Sequence, residues 1–93
     1  MTAKERKVYA ALPDKVTVYR GCYKDNKWGL SWSLDRDVAA KFPRLHRYKQ
    51  DGQPILVRAI ADKAYIAAVK LDREESEIIT SRPRQVSTSH LKA

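Results

Sequence analysis

The chain has one cysteine, Cys22, and two histidines, His46 and His90, in 93 residues. A lone cysteine excludes an internal disulfide framework and any cysteine-cluster metal site. Two histidines far apart, with no HxxxH spacing, argue against zinc, so no metal is expected. No apolar run approaches the roughly 20 residues that span a bilayer. The opening MTAKERKVYAALPDK is charged and lacks the apolar core of a signal peptide, which reads as an intracellular, cytoplasmic protein with no membrane partner. There are no repeats and no low-complexity segment. Acids are scarce: 11 Asp and Glu face 19 Lys and Arg, a net charge of +8. A basic surface draws polyanions such as nucleic acid, phosphates and acidic proteins.

Hydrophobic residues make up 43% of the chain and charged ones 32%, as in a folded globular domain. The length fits one compact domain over 1–93 with one modest core. Residues 1–14 read as a short helix or arm, and 82–93 as a tail or, over VSTSHLKA, a final strand. KVTVYRG alternates as a strand does, with Val16, Val18 and Arg20 on one face and Thr17 and Tyr19 on the other. CYKDNKW is a polar turn. GLSWS is a short strand that runs into a helix ending near Phe42, with Ser33 as its expected N-cap and Asp35 and Asp37 in its first turn. ILVRAIA is the most strand-like run. AYIAAVKL is strand or short helix, and EIIT starts a strand. Strands interrupted by one good helix predict an α+β fold with a mostly antiparallel sheet.

Three features lie in order at strand ends. Tyr19-Arg20-Gly21 ends the first strand, Ser31-Trp32-Ser33 ends the second, and Glu75-Ser76-Glu77 opens a later one. An arginine on an apolar strand face needs a partner. That partner is either a carboxylate, giving a structural ion pair, or a phosphate ligand, for which the planar guanidinium is well shaped. Ser31 and Ser33 share a strand face, with Trp32 opposite, and Glu75 and Glu77 share another.

This order resembles the Arg-Ser-Glu class of the ADP-ribosyltransferase superfamily, and the stretch from Val16 to Ile79 is similar to short phage and bacterial proteins that carry it. The middle serine-motif residue is Trp32, where the family often has Thr. Ser87-Thr88-Ser89 also reads Ser-x-Ser, but it follows the Glu-x-Glu instead of preceding it.

The resemblance implies a small split β-sandwich with NAD, as substrate, in the cleft between two sheets. It implies that Arg20 holds the NAD phosphates and that the Gly21 backbone binds the nicotinamide amide. Ser31 orients the catalytic glutamate, with Ser33 beside it in the cofactor site, and Phe42 or Trp28 stacks near the nicotinamide. Glu77 takes the ribose 2′-OH. Glu75 activates the acceptor, a host protein modified on arginine. The implied activity is mono-ADP-ribosyl transfer or NAD hydrolysis in the host cytoplasm. Breaking the nicotinamide–ribose bond builds positive charge on the sugar, which a carboxylate beside it stabilises.

A competing reading starts from KFPRLHRYK, residues 41–49. Lys41, Arg44, Arg47 and Lys49 interleave with Phe42 and Tyr48, so basic groups meet phosphates while an aromatic ring stacks on a base. A non-catalytic, anti-CRISPR-like inhibitor docking on a nucleic acid or nucleoprotein complex fits those residues.

Overall fold

A computed structural model describes residues 1–23, 29–41, 54–71, 76–81 and 83–90. Helix α1 (Ala3–Ala11) leads into strand β1 (Lys15–Cys22). Strand β2 (Ser31–Ser33) and helix α2 (Arg36–Lys41) follow, then β3 (Ile55–Asp62), a 3-10 turn at Lys63–Tyr65, β4 (Ile66–Lys70), β5 (Glu77–Thr80) and β6 (Arg84–His90). The six strands form one sheet in the order β4-β5-β2-β1-β3-β6, and every neighbouring pair is antiparallel. The domain is therefore α+β with antiparallel strands, as the sequence predicts, but the strands join in one sheet where the expected split sandwich has two. Of the two readings of the C-terminal stretch, strand prevails over tail: β6 pairs with β3, Leu56 lying opposite Ser89 and Arg58 opposite Ser87. No helix among the described residues is long and apolar enough to cross a membrane.

Alternation sets the core. Val16, Val18 and Cys22 of β1 pack with Ile55, Val57, Ala59 and Ala61 of β3, and with Trp32, Ile66, Val69 and Ile78 from the other strands. Val8, Tyr9 and Leu12 of α1 close this side. On the opposite face Ala39 of α2 packs on Leu56, flanked by Tyr19 and Ala40. Ile55, Leu56 and Val57 are all buried because β3 is covered on both faces, which is why it reads as a continuous apolar run.

Helix α1 starts at a full capping box. Thr2 Oγ1 accepts from the Glu5 N–H and Glu5 Oε1 accepts from the Thr2 N–H, at 3.1 and 2.7 Å. The other Glu5 oxygen accepts from the Leu71 N–H at 2.8 Å, just past the end of β4. Met1 Sδ accepts from the Val69 N–H at 3.2 Å. The N-terminal segment thus covers the outer edge of β4. The backbone N–H groups of Thr2 and Leu71 hold the Glu5 carboxyl below its ordinary pKa.

One junction in the sheet differs from the rest. β1 and β3 pair along their whole length, from Lys15↔Asp62 to Cys22↔Ile55. β1 and β2 meet at a single pair, Tyr19↔Ser33. The sheet therefore consists of two three-stranded halves, β4-β5-β2 and β1-β3-β6, joined at a narrow seam.

Candidate active site at the seam

Beyond Tyr19↔Ser33 the ladder between β1 and β2 stops, yet β2 stays paired to β5. Backbone bonds from Thr80 N–H to Leu30 O and from Leu34 N–H to Ser76 O, 2.9 and 3.1 Å, flank the pairs Ser31↔Ile79 and Ser33↔Glu77. Both pairs are therefore the non-hydrogen-bonded kind, and the Ser31 carbonyl points away from β5, towards β1. A ladder would satisfy it there. Instead the Arg20 guanidinium does: Nη1 donates to Ser31 O at 2.9 Å. Arg20 lies on the core-side register of β1 with Val16 and Val18, and its half-buried head fills the gap where the strands part.

The same serine reaches the third residue. Ser31 Oγ donates to Glu77 Oε2. Arg20 is thus linked to the Ser31 backbone from the core face of the sheet, and Ser31 to Glu77 through the side chains on the opposite face. Glu77 is half-buried, and Trp32 and Ile78, its neighbours on the opposite face, are fully buried. Ser76, immediately before Glu77, has φ 46°, in the left-handed region. A non-glycine residue there costs about 1 kcal/mol or more, so the backbone at Ser76, immediately before Glu77, is strained.

Two residues of the site escape the motif-based reading. The first is Gly29. A Cβ built on it would lie 2.7 Å from Arg20 Nη2 and 2.8 Å from Arg20 Cζ. The guanidinium packs directly on the Gly29 backbone, and only glycine leaves room for it. The second is Trp32, whose indole Nε1 donates to Gly29 O at 2.9 Å. The bulky ring anchors β2 in the core while its one polar atom fixes the loop beneath Arg20. That accounts for tryptophan between the two serines: it positions the platform on which the arginine rests. A glycine directly before a short strand is the available sequence signal, since it marks close backbone approach.

Ser33 is fully buried. It is not the expected N-cap. Its Oγ accepts from the Asp35 N–H at 3.0 Å, which shapes the turn out of β2. Asp35 caps α2: its Oδ1 accepts from the Asp37 and Val38 N–H groups at 2.8 and 3.2 Å, and its carbonyl takes the Ala39 N–H. The helix therefore begins at Arg36, two residues beyond the expected start, because a carboxylate two residues after the serine takes the capping role.

Gly21 is half-buried on β1 opposite Leu56, next to Arg20. Lys41 is exposed at the end of α2. Glu75, Trp28, Phe42, Arg44, Arg47 and Lys49 lie outside the described residues. Among the described residues no three His, Cys, Asp or Glu side chains group as a metal site does. Searches against protein-family models, curated proteins and solved structures found no match to this chain.

Proposed function

We propose that the protein is a compact NAD-dependent mono-ADP-ribosyltransferase, or an NAD glycohydrolase of the same design, with its active site at the seam. The observation that carries this reading is the connected set Arg20–Ser31–Glu77. A split sheet supports it too, because two halves meeting at a single pair leave strand ends free to line a cleft. Their order along the chain is that of the Arg-Ser-Glu pattern that the sequence resembles.

The residues present suit an NAD molecule. Arg20 offers a cation that its hydrogen bond to Ser31 O orients before a pyrophosphate arrives. Gly29 keeps the surface beside it free of side-chain bulk. Glu77 supplies a carboxylate, and Ser31 holds one of its oxygens. The chemistry to be supported is loss of nicotinamide from the ribose, in which positive charge grows on the sugar. A carboxylate held in place by Ser31 stabilises that charge without having to reorganise. Arg20 keeps its own positive charge at the phosphate end, away from the sugar. In this reading the acceptor is a host protein.

The test is incubation with labelled NAD and a host lysate, wild type beside Glu77→Gln. Label transfer or nicotinamide release is expected from the wild type and a loss of roughly 100-fold or more from the variant, the usual scale for one aimed electrostatic group. Undetectable NAD binding by the wild type at millimolar NAD, with salt-sensitive binding to nucleic acid, would transfer the function to the basic segment that begins at Lys41.

A further inference from the structure

Beside the seam residue Tyr19, on the α2 face of the β1-β3-β6 half, lies a recess of about 220 Å³, lined by Tyr19, Arg36, Leu56, Arg58, Ser87 and Ser89. The register assembles it. Arg58 sits opposite Tyr19 on one side and Ser87 on the other, and Leu56 sits opposite Ser89. Directly paired residues share a face, so all five strand residues project the same way. Arg36, the first residue of α2, completes the rim. Ser87 and Ser89 are the outer members of the Ser-Thr-Ser that the Arg-Ser-Glu pattern leaves unused.

The lining is chemically one-sided. Two guanidiniums, two serine hydroxyls and a phenol can all donate hydrogen bonds, and no carboxylate lines the recess among the described residues. Arg58 is exposed and makes no ion pair with a described residue. Arg36 has Asp37 at 3.7 Å, a loose pair on side chains 58% and 84% exposed. Such a pair is weak and screened by water, so Asp37 does not use up the arginine's binding capacity. Two like charges around one small recess repel each other until an anion enters.

We propose that this recess binds a phosphomonoester group. The doubly charged end of a monoester matches two guanidiniums, whereas a phosphodiester brings only one charge. Serine and tyrosine hydroxyls supply further donors to its oxygens. Leu56, which is buried, and the ring of Tyr19 give an apolar wall for the organic part of the ligand. Arg20, Ser31 and Glu77 take no part in it, so this site and the NAD reading stand or fall separately.

The experiment is an NMR titration of the full-length, ¹⁵N-labelled chain with methyl phosphate and with dimethyl phosphate. Methyl phosphate is expected to shift the Arg58, Ser87 and Ser89 amides saturably, and to bind about 10-fold or more tighter than dimethyl phosphate. Arg58→Gln and, separately, Arg36→Gln should each weaken binding about 10-fold. Lys7→Gln, which removes the same charge at an exposed position of α1, should leave it unchanged. AMP and a 5′-phosphorylated tetranucleotide then separate two sources of the group. Equal affinity assigns a small phosphorylated molecule, and tighter binding of the tetranucleotide that is lost without its terminal phosphate assigns a strand end. The proposal is overturned if methyl phosphate leaves Ser87 and Ser89 unmoved, if the arginine variants behave like Lys7→Gln, or if the tetranucleotide binds regardless of its terminal phosphate.

Discussion

On one side of the seam the strands are long: β1 and β3 have eight residues each and β6 has seven. On the other side β2 has three, β5 four and β4 five. The long half carries the regular pairing and most of the core. The short half carries Ser31 and Glu77 and gives up ladder bonds to do so, with the Arg20 side chain substituting for β1 backbone at Ser31. One half provides a rigid frame and the other presents chemistry at its border, and Trp32 ties the two together.

The largest effect is expected at that tie. Trp32→Ala empties a fully buried ring volume and should cost about 3–5 kcal/mol, enough to unfold much of the chain. Thermal or urea melts would read it. Trp32→Phe retains most of the apolar bulk and removes only the Nε1 donor to Gly29, so it should fold while NAD binding weakens. If both variants lose the same stability, the indole N–H has no separate positioning role.

Next comes Glu77→Gln, which changes the short half without touching the frame. Turnover should fall about 100-fold with the melting temperature nearly unchanged, measured by nicotinamide release beside a circular-dichroism melt. Gly29→Ala should have a milder effect. The added methyl meets the end of a flexible side chain, so stability changes little, but the guanidinium must leave its seat on Ser31 O. NAD affinity should fall about 10-fold, the scale of one charged hydrogen bond, as calorimetry can show.

Capping gives a smaller signal. Asp35→Ala should cost about 1 kcal/mol as an N-cap loss. A melt in which Asp35→Ala is silent would return the cap to Ser33. The smallest effect is an acid one. The folded-state pKa of Glu5 is lowered, so its stabilising contribution is present above the unfolded value and is lost as pH falls through the folded one. Between pH 6 and pH 3 the wild type should therefore lose more stability than Glu5→Gln. Parallel pH profiles for the two would show that the Leu71 and Thr2 bonds do not depend on charge.

Much of the frame was legible in the sequence because alternation is a local signal. KVTVYRG showed which residues of β1 face inward, and ILVRAIA and EIIT showed where β3 and β5 lie. The link of Arg20, Ser31 and Glu77 was legible as an ordered pattern, though the use of the Ser31 carbonyl was not. That carbonyl is available only because β1 and β2 part after one pair, a non-local fact. β6 was ambiguous because an edge strand rich in Ser, Thr and Arg has the composition of a tail, and only its pairing with β3 makes it a strand. β4 was ambiguous because alanine weakens the strand reading, and a 3-10 turn at Lys63–Tyr65 separates it from β3. Gly29 and Trp32 were missed as site residues because their roles lie in contacts with Arg20 and with each other.

The covering of β4 by Met1 and Glu5 also sets how many places the sheet offers for growth. An uncovered β-edge is a template for another strand. Among the described residues the outer side of β6 has no strand beside it, while the Val69 N–H of β4 and the Leu71 N–H just past it already have partners. A sheet with one open edge can pair once, edge to edge, and then stops. A sheet with two can add copies without end. Among the described residues α1 therefore occupies one of the two outer edges and leaves the β6 side as the open one.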